Sequence, residues 1–253
     1  HACGCADSLW RHWLILHPML LVTIGPIVPG PVADAVWSAS AGEASAGKPR
    51  GAEVRARVLH AALECFGAFG FEGTSTRAVA ERAGLSHPLL LYHFGNKEQL
   101  WRSTMDAVID DYRKSLEQGL RALPASDGPG GGLRAFLDNF VRFSARRPQL
   151  YRIMTQESTQ GSERIHWLID QHLRPSFEQV VGLIGAAQAA GQVRGGDPAR
   201  LYYAIIGLAG SLLSVSTEFA VLTGRDVFAD REIDASIACI EDFVFVRTAS
   251  AAS

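Results

Sequence analysis

Apolar residues recur every three or four positions along most of this chain, the spacing that gives an α-helix one buried face. In the first such segment, residues 53–70, the repeat comprises Leu59, Ala62, Phe66 and Phe69. The same spacing continues in residues 96–112, 133–154 and 165–190, and in two final segments. The pattern predicts an all-α protein, and the composition PASDGPGGG at 124–132 predicts a loop that divides it.

A short segment directly after the first helix has the signals of a helix, a tight turn and a second helix. Thr74 or Ser75 is placed to cap the first of these helices, and a glycine, Gly84, is placed to end it. Ser86 is placed to cap the second helix, with Pro88 in the first turn, where its missing N–H costs nothing. This order predicts a helix–turn–helix, which presents its second helix to the major groove of DNA.

The second helix of this motif has two different sides. Leu90 and Phe94 lie four residues apart on the side that we expect to be buried. The opposite side offers hydrogen-bonding groups and an apolar surface suited to base edges. Its residues, with the one that opens the helix, are His87, Leu89, Tyr92 and His93.

Residue types between positions 70 and 100 follow a familiar order. The matching positions are Gly70, Phe71, Thr74, Ser75, Arg77, Ala80, Ala83, Gly84, Ser86, His93, Phe94, Lys97, Glu98 and Leu100. This order resembles the DNA-binding domain of TetR-family transcriptional repressors, and residues 146–154, RRPQLYRIM, resemble the body of the same family. One position departs from the pattern, because Leu91 stands where the family most often has the first aromatic residue of its recognition helix. Tyr92 follows, about 100° further round the helix.

The resemblance implies a three-helix DNA-binding head at 51–98 and a helical-bundle body at 99–248 that binds a ligand and forms a homodimer. It also implies a transcriptional repressor that a small molecule releases from a palindromic operator. The residues expected to contact DNA are Thr76, Arg77, Ser86, His87, Pro88, Leu89, Tyr92, His93 and Lys97. Lys97 opens a helix whose N-terminus attracts phosphate, although a solvated surface lysine is the alternative interpretation.

The last part of the chain carries two apolar seams of heptad-like spacing, flanked by small residues. The first seam is Leu201, Ile205, Leu208, Leu212, Val215 and Phe219, and the second is Ile233, Ile237, Ile240 and Val244. Two helices from each of two chains would form a four-helix bundle, which the resemblance implies as the homodimer interface. The alternative is that both seams belong to the core of one protomer.

Aromatic residues are spread through the predicted body helices, where the resemblance implies a pocket for a small molecule. The candidate lining residues are Phe136, Phe140, Phe143, Tyr151, Met154, Trp167, Phe177 and Tyr203. These side chains predict an apolar or aromatic effector. Ordinary core packing is the alternative for each of them, because aromatic residues at helical spacing usually fill a core.

Charge and cysteine content narrow the class of protein. The formal net charge is −2, so any DNA affinity depends on local charge, and residues 50–102 contain seven positive and five negative residues. Cys3 and Cys5 lie near His12 but lack a matching second pair, so we expect no metal site and no cofactor. Cys65 and Cys239 fall among apolar residues and predict small buried side chains in a reduced, cytoplasmic protein.

The first fifty residues differ in composition from the rest and contain Pro18, Pro26, Pro29 and Pro31. Prolines at this density break helices, so residues 1–50 predict a disordered extension and no membrane span. A signal or anchor segment is the alternative interpretation, because a short apolar run follows Arg11.

An enzyme is the main alternative of another class, and the chain lacks the motifs that would support it. We find no G-x-S-x-G, no H-E-x-x-H, no phosphate-binding loop and no dinucleotide-binding glycine turn. His166, Asp170 and His172 fall on one predicted helix, where a solvated helix face explains them better than a catalytic site. A further alternative is a helical interaction module of the same fold without specific DNA binding.

Overall fold

The structure is a computed structural model that describes residues 50–124 and 127–246. The predicted extension up to residue 49 and the Cys3–Cys5 pair lie outside the described residues. Helices account for most of the described chain, and no strand occurs within it beyond one isolated bridge between Val193 and Phe245. The prediction of an all-α fold is therefore confirmed.

The described helices, numbered in chain order, form a head followed by a body. They are α1 (Arg50–Gly73), α2 (Thr76–Arg82), α3 (His87–Phe94), α4 (Lys97–Arg121), α5 (Gly128–Arg146), α6 (Pro148–Gln160), α7 (Glu163–Leu168), α8 (Arg174–Ala189), α9 (Pro198–Ser214), α10 (Ser216–Thr223) and α11 (Asp230–Val244). A π-helical turn, Ile169–Leu173, joins α7 to α8. The predicted limit between residues 98 and 99 falls inside α4, which crosses it without a break.

Glycines with positive φ and a capping side chain mark helix ends in the head, and Gly84 ends α2 as predicted. Gly70 has φ 68° and interrupts α1, and Gly84 has φ 66° after α2. The Leu85 N–H donates to the Ala80 carbonyl over 2.9 Å, which closes the glycine turn on the preceding helix. The Asn96 side chain caps α4 by accepting from the Gln99 N–H over 2.8 Å.

The head shares a core with the first part of the body. Leu100, Trp101 and Met105 of α4 are fully buried between the head helices and the α6–α7 region. The buried members of this junction core are Val58, Leu59, Ala61, Ala62, Leu63, Cys65, Phe66, Val79, Ala80, Ala83, Leu90, Phe94, Leu100, Trp101, Met105, Val108, Ile109, Phe143, Ile153, Ile165 and Leu168. Because residues of both parts pack together, α4 is fixed to head and body at once.

A second core fills the rest of the body, between α5, α8, α9 and α11. It contains five of the residues predicted for the dimer interface, and each of them is at most 9% exposed within one protomer: Ile205, Ile233, Ile237, Ile240 and Val244. The interface prediction is therefore wrong for these five. They pack against side chains of their own chain, which is the alternative that the sequence left open.

The predicted loop at 124–132 is too long, because α5 already begins at Gly128. Gly130, Gly131 and Gly132 are buried in its first turns. A Cβ on Gly132 would lie 3.2 Å from the side chain of Leu183 in α8, so glycine permits close helix packing here. Composition indicated a loop, whereas α5 includes all three glycines and the close approach of Leu183 favours a small residue at Gly132.

Two predicted long helices are interrupted. The segment 165–190 is broken by the π-helical turn, before Pro175, and the seam that extended to Phe219 is broken at Val215, where α9 and α10 meet at 65°. Within the described ranges no individual helix is both long and apolar enough to cross a membrane. The pair α9 and α10 reaches that threshold together, although it is bent.

The π-helical turn is attached to α4 by its own hydrogen bonds. His172 is 6% exposed, and its Nε2 lies 2.7 Å from Oδ1 of Asp106. Arg113 donates to the His172 carbonyl over 3.0 Å. The expectation of a solvated helix face is therefore wrong for His172.

The two described cysteines differ. Cys65 is buried in the junction core as predicted, and burial raises the pKa of its thiol. Cys239 is exposed on α11, so the prediction of a buried side chain is wrong there. In the described part of the chain, no cluster of three or more His, Cys, Asp or Glu residues is placed to hold a metal ion.

Adjacent leucines on α3 provide a test of this fold. Leu90 is fully buried, whereas Leu89 is 38% exposed. We expect Leu90→Ala to lower the free energy of unfolding by about 2–5 kcal/mol, because it leaves a cavity in the junction core. The matched change Leu89→Ala should cost no more than about 0.5 kcal/mol. Urea denaturation measures both, and equal losses would contradict the placement of α3.

Candidate nucleic-acid interface

The helix α3 presents a clear inner and outer side. Leu90 and Phe94 point into the junction core, as the sequence predicted. Leu89 and Tyr92 lie on the outer side, where Tyr92 is 83% exposed. His93 is half-buried, and its ring meets that of Tyr92 edge-on at 5.3 Å between centroids. The outer side therefore combines a phenol, an imidazole and an apolar side chain on one short helix.

Leu91 is turned away from this outer side. It is half-buried and packs against the junction core. Tyr92 takes the exposed position instead, because successive helical residues differ by about 100° in direction. The aromatic side chain of α3 thus lies at Tyr92, about 100° round the helix axis from position 91, where the resemblance expects it.

A hydrogen bond joins the two helices of the motif across their turn. Thr76 Oγ1 lies 2.9 Å from His87 Nε2, and both side chains are half-buried. This contact connects the first residue of α2 to the first residue of α3. It orients the His87 ring, and sequence spacing gave no signal for it because the residues are eleven positions apart.

The two capping serines behave differently. The Ser75 hydroxyl accepts from the Ala78 N–H over 3.1 Å and caps α2. Ser86 occupies the N-cap position of α3, but its side chain makes no capping hydrogen bond. The predicted cap is therefore wrong for the Ser86 side chain, although its position is right. The exposed Ser86 hydroxyl therefore does not cap the start of α3.

Two cations of the head keep an uncompensated charge. Arg77 is exposed and Lys97 is half-buried, and neither has a carboxylate within 4.0 Å in the described chain. Lys97 Nζ donates to the Glu72 carbonyl over 3.3 Å instead. The neighbouring arginines Arg82 and Arg102 are paired with glutamates. Uncompensated positive charge thus lies at the start of α2 and the start of α4, and Arg55 and Arg57 of α1 are likewise exposed without a carboxylate partner in the described chain.

None of the nine residues predicted to contact DNA is buried in the core. The exposed ones are Arg77, Ser86, Pro88, Leu89 and Tyr92, and the half-buried ones are Thr76, His87, His93 and Lys97. All nine lie on α2, α3, their connection or the start of α4. The head therefore presents a continuous helical motif whose outer side is accessible and whose flanks are cationic.

Two family models cover nearly all of the described chain. Residues 58–104 match the model of bacterial regulatory proteins of the tetR family, and residues 109–250 match that of the C-terminal region of YcdC-like proteins. The chain belongs to the TetR family. It is a DNA-binding transcriptional regulator with a helix–turn–helix head and a helical body.

Individual TetR-family members agree with this assignment. The chain is 27% identical over 148 residues to the HTH-type transcriptional regulator RutR of Escherichia coli (strain K12). These residues are 58% of this chain and 68% of RutR. It is 43% identical over 67 residues to the regulatory protein RaaS of Mycobacterium tuberculosis, covering 26% of this chain and 31% of RaaS. The solved structure of the regulator KstR2 of Mycobacterium tuberculosis has the same fold, with a TM-score of 0.63, 16% identity and coverage of 80% of this chain and 99% of that one.

In the body of this TetR-family protein, the predicted ligand residues do not all meet. Five of them belong to a connected set of rings that also includes two tyrosines not predicted. Its members are Tyr112, Phe136, Phe140, Phe143, Phe177, Tyr202 and Tyr203, which we call the body aromatic cluster. Met154 and Trp167 pack against the junction core instead, and Tyr151 packs against Gly210 of α9. Tyr203 lies at the surface edge of the cluster, where its ring contacts Phe177 and Tyr202 and is 66% exposed.

Two crevices in the described structure lie away from the body aromatic cluster. One of about 480 Å³ is lined by Arg194, Asp242, Phe245 and Val246 near the end of α11. A void of about 10 Å³ lies under α9 and is too small for an effector. Neither is lined by a residue of the body aromatic cluster, whose rings fill their own space in this conformation.

The remaining predicted dimer residues divide by exposure. Leu208 and Val215 are 39% and 43% exposed, and Leu201 and Leu212 are half-buried. Larger apolar surfaces occur at residues that the seam pattern missed, namely Val221, Leu222 and Phe243, which are 79%, 75% and 58% exposed. These residues lie outside the regular repeat. Regular spacing shows that a helix has an apolar side, but it does not show which side the rest of the protomer leaves uncovered.

Proposed function

We propose that this regulator inserts α3 into the major groove and reads base edges with its outer side. Leu89 and Tyr92 are the most exposed large side chains of α3, and this exposure is the observation that carries the proposal. An apolar side chain suits a thymine methyl group, and the phenol and imidazole offer hydrogen bonds to base edges. His87, tied to Thr76, is oriented at the start of the same helix.

Phosphate contacts in this proposal come from the flanks of α3. Arg77 and Lys97 carry charge that no described carboxylate neutralises, and the Ser86 hydroxyl makes no capping bond. The N-terminus of α4, where Lys97 lies, adds the favourable field of a helix start. These groups fix the position of the duplex but carry no sequence information.

Variants of the full chain test the two kinds of contact. Fragments bound by the protein are selected from the genome of its source, and affinities for a selected duplex and a random duplex are measured over a range of salt. We expect Lys97→Ala to weaken binding to both duplexes alike. It should also lower the salt slope, the steepness with which the logarithm of the affinity falls with the logarithm of the salt concentration, by about 1, because one phosphate contact is lost. Tyr92→Ala should change which sequence is preferred.

Arg121→Ala supplies the control for loss of a positive charge. Arg121 is exposed at the far end of α4 and is paired with Glu117. Its loss should leave the slope and the preference unchanged. A protein without preference among duplexes would instead support the interaction module that lacks specific DNA binding.

We propose that the regulator is a homodimer that associates through the exposed side of α9, α10 and α11. Leu208, Val215, Leu222 and Phe243 supply the apolar surface, and the small exposed residue Gly207 permits close approach of helices. A two-fold dimer presents two heads, so the operator should be a near-palindrome with half-sites one helical turn apart or a multiple of it.

Disruption of that surface tests the dimer. We expect Leu208→Glu to shift the protein toward the monomer in analytical ultracentrifugation, because a carboxylate would lose its hydration in the interface. Ala68→Glu, on the exposed side of α1, is the matched control and should leave the mass unchanged. Wild-type protein that sediments as a monomer at micromolar concentration would contradict the proposal.

We propose an uncharged apolar or aromatic effector that binds at the body aromatic cluster and releases a repressor from its operator in the cytoplasm. Burial raises the pKa of Tyr202 to about 12 and also raises that of Tyr112, so both phenols are neutral at physiological pH. The cluster therefore offers rings and neutral hydroxyls. Because its rings are closely packed in this conformation, an effector acts by binding a more open state better than this one.

Fluorescence gives a measurement of effector binding. The described tryptophans, Trp101 and Trp167, meet at 5.8 Å between centroids at the head–body junction. We expect an uncharged aromatic effector to change their emission and to weaken operator binding over the same concentration range. Phe140→Ala, which opens the cluster, should alter the midpoint of both changes. A broad panel of such compounds that changes neither signal would contradict this effector class.

A further inference from the structure

The end of α1, the start of α4 and Arg164 of the body meet at the ring of Phe71. Gly70 interrupts α1 and turns Phe71 toward the start of α4, where its ring lies 6.0 Å from that of Phe66 in a stacked arrangement. Two cations approach this ring. Lys97 Nζ lies 4.4 Å from the Phe71 centroid, and the guanidinium carbon of Arg164 lies 3.8 Å from it. A single side chain thus contacts both a head lysine and a body arginine.

Arg164 is held firmly on the body side. Its Nε lies 3.0 and 3.1 Å from the two carboxylate oxygens of Glu157, which is 2% exposed. The Ser162 hydroxyl donates to the same carboxylate. Because Glu157 neutralises Arg164, the guanidinium packs on Phe71 without adding a free charge beside Lys97. Removal of one partner from such a buried pair is costly. The pair therefore fixes the geometry of the connection between α6 and α7, which we call the α6–α7 corner.

The helix α6 leaves no space between this corner and the end of α1. A Cβ on Gly70 would collide with the Gln156 side chain, and one on Gly67 would lie 2.6 Å from Cβ of Gln149. Gln149 and Gln156 both belong to α6. The end of α1 and the helix that leads to Arg164 are therefore in direct contact.

We propose that Arg164 is a positioning residue for DNA binding, which holds Lys97 in place for its phosphate contact through the ring of Phe71. This inference rests on the proposed phosphate contact of Lys97. Arg164 itself touches no DNA in this arrangement. A movement of the α6–α7 corner displaces Phe71 and with it the lysine, so the body sets the position of a head cation by direct contact.

The experiment measures the salt slope of DNA binding for full-length variants, with a selected operator fragment and a random duplex as probes. Arg164→Ala is expected to lower the slope by about 1, the same change as Lys97→Ala, because one phosphate contact is lost in each. The double variant should lose nothing further, since both changes remove the same contact. Arg164→Lys should not restore the slope, because lysine lacks the planar fork that fits Glu157 and the ring.

Two further variants separate positioning from a general loss of stability. Phe71→Leu keeps an apolar side chain in the junction but removes the ring, and it should give the same lower slope even if Arg164→Ala folds poorly. Arg113→Ala removes another partly buried body arginine, which donates to the His172 carbonyl. Its effects on DNA binding should be independent of Lys97→Ala, and thermal unfolding of each variant records the stability.

Each outcome decides the inference. If Lys97→Ala leaves the salt slope unchanged, the phosphate contact fails and the positioning role fails with it. If Lys97→Ala lowers the slope but Arg164→Ala and Phe71→Leu do not, the contact stands and the positioning role alone is overturned. Independent effects of Arg164→Ala and Lys97→Ala on binding would also overturn it.

Discussion

The burial of one side of α4 is the constraint on which the rest of this regulator depends. Leu100, Trp101 and Met105 have no exposed surface, and they lie where the head helices meet the α6–α7 region. Further along the same helix, Tyr112 and Leu116 pack against the second core. Because α4 contributes to both cores, the head and the body are packed on the same helix. Any change in the body that shifts α4 is transmitted to the residues that lie at its start.

Local signals in the sequence predicted the head accurately, because they depend on neighbouring residues in the chain. Gly84 ends α2, Ser75 caps it, and the spacing of Leu90 and Phe94 identified the buried side of α3. The limits of such reasoning appear where a distant partner decides. His172 is buried with its Nε2 2.7 Å from Oδ1 of Asp106, which lies sixty-six residues away in the chain. No pattern within the helix of His172 could have indicated that contact.

Hydrophobic spacing predicts that a helix has a buried side, but it does not identify the chain that buries it. The residues from Ile233 to Val244 have the repeat of a dimer seam, yet they pack in the core of their own protomer. The glycines at 130–132 show a similar limit, because their composition indicates a loop although they lie in the first turns of α5, with Leu183 of α8 packed close to Gly132. In the recognition helix, the displacement from Leu91 to Tyr92 was evident from sequence, and the structure shows its physical form. The exposed ring lies beside His93 and outside the core.

The π-helical turn Ile169–Leu173 has a consequence for the way the two cores are connected. A wider turn rotates everything that follows it about the helix axis, relative to an unbroken α-helix. Ile165 and Leu168, before the turn, are therefore directed into the core at the head, whereas Val180 and Ile184, after it, are directed into the body. The nearly continuous helical segment from α7 to α8 thus contributes residues to both hydrophobic cores. The register between them is set by a single irregular turn instead of by a loop.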